Sequence, residues 1–447
     1  MSVATPSSPT ASGQGLSRHT LLRRAGQTTV GLAALVATGS LAACGASEKP
    51  AASAGPVTLQ HYMWGDAATA AVDTKMLDAL KAKQPRITVQ STVVPAYNDY
   101  YDKLQAQVVG GSPPDVAMVN VLLFATVYSQ GILQDLTPLI QKTKRKVEDY
   151  WPSQMAGLRH DGKVWAFGRD FSPRLFFLNR TMLAKSGQQI DEQKWTWDEF
   201  VRITTAMTQG EGASKQWGTT AGDFLTWLYS AGGAVYNPEG TKVVTDTAEA
   251  VRGIEFRGDL VTKHRVTPQS SEMGGRSEIQ LFTDGRIGLY MTGRWNYPTM
   301  NNIKDFDWDV VLPPTGPGGR WTNGGGGGYA ILKGAKQTDA AWDVLAWITG
   351  EGQKDVADVI GIPAYKPATE APAFRVSKPA NDKAFITLAE KHTKLQPQHP
   401  KHTDVDKIIT AELGKVNRGE QSARDAGRQI AEQGTPLVQG TPWKAPA

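Results

Sequence analysis

Aspartates, a glycine run, a histidine-rich stretch and one cysteine are the residues of this chain whose types could do chemistry. Asp66, Asp170 and Asp284 could supply the carboxylate pair that hydrolyses a glycosidic bond, one acting as acid and one as base or nucleophile. Each also has a plainer reading: Asp66 as a helix N-cap, Asp170 as a loop residue, Asp284 as part of the turn Thr283-Asp-Gly285. The plainer reading is strongly favoured for Asp284. The run Gly324–Gly328 is not followed by Gly-Lys-Ser/Thr, which excludes a P-loop. Its glycines either let backbone N–H groups approach a ligand closely or permit a turn. His392, His399 and His402 lie in a polar stretch broken by Pro397 and Pro400. That stretch reads as an exposed linker, because a zinc site needs ligands converging from a defined scaffold. There is no His-Glu-x-x-His and no Gly-x-Ser-x-Gly. No catalytic residue, metal or cofactor is assigned.

The cysteine is informative through its position. Cys44 follows Leu41-Ala42-Ala43 at the end of an apolar run from Val30, with Arg23-Arg24 upstream. A charged region, a short apolar region and small residues before a cleavage point make a secretory signal. The run is too short for a bilayer, which takes roughly 20 apolar residues. Residues 1–43 are therefore expected to be a signal peptide, and Leu-Ala-Ala-Cys resembles a bacterial lipobox. Cleavage would leave Cys44 as a lipid-bearing N-terminus tethered outside the cytoplasmic membrane. Arg23-Arg24 fits either a twin-arginine or a plain secretory route. Residues 44–56 are small, polar and proline-punctuated, a flexible tether.

The charge excess points to no particular partner. The formal +5 of the whole chain includes Arg18, Arg23 and Arg24 of the presequence, which contains no acid. No Lys/Arg cluster marks a nucleic-acid face. No cysteine follows Cys44, so the fold is held without disulfides. The chain has 13 tryptophans, most of which must be core, with some available as flat platforms in a cleft.

Hydrophobic periodicity supplies the elements that position these residues. Strands are expected at Val57–Met63, Ile87–Val94 and Asp115–Val119, and a helix at 67–83. Tyr97, Tyr101, Leu104 and Val108 fall on one face of a second helix ending at Gly110-Gly111. That order predicts a parallel sheet with right-handed crossovers. Further on, Val164–Gly168 and Arg174–Leu178 read as strands linked by 169–173. Thr196-Trp-Asp-Glu199 reads as a capping box. Arg286–Met291, Trp308–Leu312 and Tyr329–Leu332 are later strands, and Asp339–Ile348 is a helix ending at Gly350. In an open parallel sheet, ligands bind beyond the carboxyl ends of the strands. Trp64 and Asp66 follow the first strand and Asn120 follows the third, so all three face the expected crevice. Aromatic faces and Asp or Asn side chains suit the C–H faces and hydroxyls of a sugar.

The chain resembles an extracellular solute-binding protein of the sugar-importing ABC transporter class, the maltose-binding-protein-like group. The resemblance rests on Gly110-Gly-Ser-Pro-Pro-Asp-Val116, Asp161–Gly168, Leu175–Arg180, Trp195–Phe200, Phe282–Trp295 and Gly361-Ile-Pro-Ala-Tyr-Lys366, in order behind the lipobox. It implies an α/β, two-lobed periplasmic-binding-protein-like (type II) fold that closes about a hinge onto ligand in the interlobe cleft. Residues 57–167 and 312–360 would form lobe 1, and 168–311 and 361–447 lobe 2. Crossings would lie near Phe167–Asp170, Val311–Pro314 and Gly361. The resemblance adds Asp170, Asp223, Trp227, Trp295, Gly326 and Gly327 to the ligand-binding set, with Trp295 as the stacking platform. It implies a monomer that is no enzyme, with ABC permease subunits as partners. Arg294 departs from the commoner small residue of its motif. It would either bridge the lobes or fork onto an anionic solute such as glycerol phosphate, so the neutral-sugar and anionic readings both stand at this point, with a glycosidase behind them.

Overall fold

The computed structural model describes residues 55–356, 361–374 and 379–444. The signal segment, Cys44 and most of the tether lie outside them. Strand β1 (Val57–Trp64), helix α1 (Ala67–Lys83), β2 (Ile87–Val94), α2 (Tyr97–Val109) and β3 (Val116–Asn120) follow one another as the periodicity requires. β1 pairs in parallel with β2, Val57 opposite Ile87, and with β3. Gly327–Ile331 then adds antiparallel to β3, and Phe167–Gly168 closes the first sheet. Tyr100 and Leu104 point α2 into this core, and the Tyr100 hydroxyl donates to the Tyr62 and Met118 carbonyls. The helix therefore turns its Tyr100 side inward beside the expected Tyr101–Leu104 face.

A second sheet is ordered Trp308–Val311, Leu175–Asn179, Ile287–Thr292, Trp217–Thr219. Helices Trp197–Met207, Phe224–Ser230 and Ala248–Thr262 cover it, with the C-terminal helices His402–Asn417 and Ala423–Val438 packed outside. Thr196 caps its helix by accepting from Glu199 N, but Glu199 pairs with Arg202, so only half of the expected capping box forms.

Between these layers runs a small sheet of Ile362–Pro363, Asp170–Pro173, Thr322–Gly325 and Thr393–Leu395. Residues 169–173, expected as a plain linker, are thus mostly strand. The return toward the first layer also differs from expectation. Residues 312–321 stay with the second layer, where Thr315 N donates to Trp195 O, Gly318 N to Ser230 O and the Trp195 indole to Leu312 O. The passage back lies at Gly325–Gly327 instead of Val311–Pro314. The carboxyl-terminal stretch is not wholly with the second layer either, since Leu395 and Trp443 pack into the first core.

The His-rich stretch is no exposed linker. His399 and His402 are buried; His399 Nε2 lies 2.8 Å from the Thr441 carbonyl and His402 Nδ1 lies 2.7 Å from the Tyr236 hydroxyl. Polar side chains are buried where partners await them, and composition alone does not reveal the partners. Among the described residues no helix is long and apolar enough to cross a membrane.

Candidate functional site

The first side of the site grows from the ends of β1 and β3. Gly65, at φ +146°, turns the chain out of β1, and Asp66 caps α1 by accepting from Thr69 N at 2.8 Å. Those helix-terminal donors hold the Asp66 carboxyl below the usual carboxylate range. Trp64 is half-buried, its ring centroid 6.1 Å from that of Tyr101. The Tyr101 hydroxyl accepts from Asn120 N at 2.9 Å, and Asn120 Oδ1 accepts from Leu122 N at 2.8 Å. Trp64, Tyr101 and Asn120 are thus brought together, with Asp66 exposed beside them.

Asn120 stands opposite Gly327 in the ladder, and Val121 N donates to Gly326 O. The glycines here answer to the protein's own backbone. A Cβ on Gly326 would meet the Asp170 carbonyl oxygen at 2.0 Å, and Gly327 N donates to Asp170 Oδ1 at 3.2 Å. The Gly327 N–H is thus taken by the protein itself, and the missing side chain at Gly326 lets two passages of chain cross at close range. Asp170 is likewise held, its Oδ2 accepting from Arg169 Nη1 at 3.0 Å. Behind it, Arg169 Nε donates to Asp73 Oδ1 at 2.7 Å and Tyr329 donates to Asp73 Oδ2. Burial alone would lower the Arg169 pKa, yet Asp73 and its neighbours outweigh that and hold the guanidinium firmly charged.

The second side is built on Gly222-Asp223 and on Gly293-Arg-Trp295. Gly222, at φ +69°, makes the turn, and Asp223 caps the following helix by accepting from Thr226 N at 3.1 Å. Arg174 Nε lies 3.6 Å from Asp223 Oδ1, and the Arg174 guanidinium sits 5.4 Å over the Trp295 ring. The ring folds back over Gly293, where a Cβ would come within 1.9 Å of it. Trp295 is 40 % exposed, with the Arg174 guanidinium over its ring and Asp223 beside that guanidinium.

A groove is lined by Tyr101, Leu122 and Thr126 of the first layer and by His402, Thr403 and Asp406 of the helix His402–Asn417. Partial burial and the charge of Asp223 raise the Asp406 carboxyl. Tyr101, Arg174 and Asp406 were missed as site residues. In the sequence Tyr101 is only one member of a helix face and Arg174 only the start of a strand, and no sequence signal marks Asp406.

Two sequence expectations fail on burial. Trp227 is 0 % exposed, packed against Phe176, Phe200 and Phe256, with its indole donating to Ala221 O. It supports the Asp223 turn from within and does not face the groove. Arg294 is 1 % exposed; Nη1 donates to Gly361 O at 3.0 Å, Nε to Asp382 Oδ1 at 3.3 Å, and its guanidinium lies over Tyr297 and Phe374. It is a structural ion pair and supplies no anion fork. Asp284 keeps its plain role: it ends a helix before Gly285, at φ +69°, and pairs with Arg276.

Comparison with known proteins agrees with this architecture. Residues 65–355 match the sequence profile of the family described as bacterial extracellular solute-binding protein. An ABC substrate-binding protein from Listeria monocytogenes, in complex with cycloalternan, superposes with TM-score 0.77 at 22 % identity, over 86 % of this chain and 99 % of that one. The GacH receptor of Streptomyces glaucescens, solved unliganded and with acarbose, gives TM-score 0.71 at 21 % identity, over 86 % and 98 %. The sugar-binding protein MalE of Xanthomonas citri gives TM-score 0.73 at 19 % identity, over 86 % and 98 %. The fold is therefore the two-lobed one of such binding proteins.

Proposed function

Because this chain belongs to the bacterial extracellular solute-binding protein family, we propose that it is the substrate-binding component of an ABC importer. It captures a mono- or oligosaccharide outside the membrane and delivers it, chemically unaltered, to the permease. The observation that carries the carbohydrate reading is the partly exposed Trp295 ring with Arg174 over it and Asp223 beside Arg174. A flat ring receives sugar C–H faces while the charged groups near it take hydroxyls. Related folds solved with cycloalternan and acarbose support the same class of ligand. The anionic alternative loses its motive, since Arg294 is buried and engaged.

In this reading the first lobe comprises the sheet of β1–β3 with its helices, and the second comprises the Leu175–Asn179 sheet with the terminal helices. Trp64, Asp66, Asn120 and Tyr101 act from the first; Asp223, Arg174, Trp295 and Asp406 act from the second. Ligand contacts to both sides exist only when the lobes are closed, so ligand shifts the open–closed equilibrium by its differential affinity. The signal segment and lipid-bearing Cys44 hold a monomer at the outer face of the cell membrane.

Isothermal titration against glucose, maltose, maltotriose, cycloalternan and glycerol 3-phosphate tests the assignment. Binding of at least one sugar is expected; silence with every sugar and heat from the phosphate ester would overturn the carbohydrate part. Trp295→Ala should weaken the sugar that binds by ~1–3 kcal/mol, the usual range for a truncated aromatic anchor. The melting temperature of the unliganded variant should stay near that of the parent. A large loss of apo stability would instead make Trp295 part of the core.

A further inference from the structure

The last described residues run back across the molecule. Helix Ala423–Val438 packs on His402–Asn417 and Ala248–Thr262, outside the second sheet. Trp443, shortly beyond its end, is 4 % exposed and belongs to the first core. Its ring stacks on His160 with centroids 3.9 Å apart and planes 12° off parallel. It meets Tyr128 and Phe124 edge-on at 5.5 and 6.4 Å. The approach to it is held from the second side. His399 Nε2 lies 2.8 Å from the Thr441 carbonyl oxygen. Gly240, at φ +66°, turns a bare face to the Trp443 backbone, where a Cβ would come within 2.2 Å of the carbonyl oxygen. The indole N–H has no hydrogen-bond partner among the described residues. Among the described residues, one stacked and two edge-on ring contacts hold the side chain.

We propose that residues 439–444 form a strap whose tip, Trp443, docks the second lobe's terminal helix onto the first lobe and sets the resting angle between them. The passages through the central sheet are covalent and cannot be released. The strap is a side-chain contact and can break and remake as the lobes move. Ligand affinity is then tuned from outside the cleft, because any bias on the open–closed equilibrium of the free protein carries over to the apparent dissociation constant. Trp443 is a positioning residue in this scheme and touches no ligand.

The test reads the interlobe distance directly. Nitroxides are attached to the full chain carrying Cys44→Ala, Lys142→Cys and Lys263→Cys, the last two being exposed positions on the first and second lobes. Pulsed electron resonance then gives the distance distribution without ligand. Trp443→Ala should broaden or displace that distribution, and Trp443→Phe, which keeps a ring in the box, should restore most of it. If Trp443→Ala fails to fold, His160→Ala removes only the stacked partner and is expected to displace the distribution likewise. Unchanged distributions in the disrupting variants, even with a lowered melting temperature, would overturn the strap and leave Trp443 an ordinary piece of the first core. With no ligand in the sample, this outcome is independent of the carbohydrate assignment.

Discussion

Replacing Asp73 by alanine is expected to destabilise the unliganded protein by ~3–5 kcal/mol, the cost of leaving one member of a buried ion pair alone. Asp73 and Arg169 side chains are 1 % and 3 % exposed, so water cannot take over from the missing partner. The Asp73 carboxylate accepts from both Arg169 and the Tyr329 hydroxyl, and its loss strands two donors at once. Arg169 would retain Asp170 alone, which already accepts from Gly327 N. Urea unfolding at unchanged slope reports the loss as a shift in midpoint. Arg169→Met combined with Asp73→Ala should recover part of it, because an apolar pair of similar volume is often no worse than a buried ion pair. A single-variant loss below about 1 kcal/mol, within the usual range of exposed ion pairs, would show that the pair does not anchor the crossing.

Acid should loosen the fold at two buried imidazoles, one beside Asp73 and one on the terminal helices. Burial, only partly opposed by Asp73 and reinforced by Arg169, lowers the His61 pKa to about 4. Burial, with the charge of His399, lowers His402 to about 4. An unfolded imidazole titrates near ~6.5. Below that pH the unfolded chain takes up protons that the native protein refuses, so the stability contributed by each buried neutral ring is complete above ~6.5 and is lost as pH falls toward 4. The limit is on the order of 3 kcal/mol for each ring. His61 Nδ1 lies 3.0 Å from Ser91 Oγ and Nε2 lies 3.9 Å from Asp73 Oδ2, a carboxylate already accepting from Arg169 and Tyr329. The melting temperature is expected to fall steadily between pH 7 and 4.5, less steeply in His61→Asn. A flat profile over that interval would mean that the rings titrate alike in both states.

Much of the first layer was legible because its signals are local. β1, α1 and β2 carry alternation, a capping aspartate and β-branched runs within their own residues, and their observed bounds lie within about a residue of expectation. The parallel order followed from the succession of elements alone. What failed depends on distant partners. Trp227 and Trp295 are the same residue type in similar settings, and only the packing of Phe176, Phe200 and Phe256 separates a core ring from an open one. Residues 312–321 read as the return to the first layer until Trp195 and Ser230, far back in the chain, hold them on the second. His399 and His402 look solvated by composition, yet Thr441 and Tyr236 receive them. Asp406 gained its place in the groove from a helix whose docking no local pattern announces.

The central sheet draws its strands from Asp170–Pro173, Thr322–Gly325, Ile362–Pro363 and Thr393–Leu395. Its last strand is contributed near the carboxyl end, so the pivot cannot be completed until almost the entire polypeptide is present. Pairings between such remote segments form slowly. An emerging chain therefore keeps its halves unjoined through most of synthesis, and they lock together only when that last strand arrives.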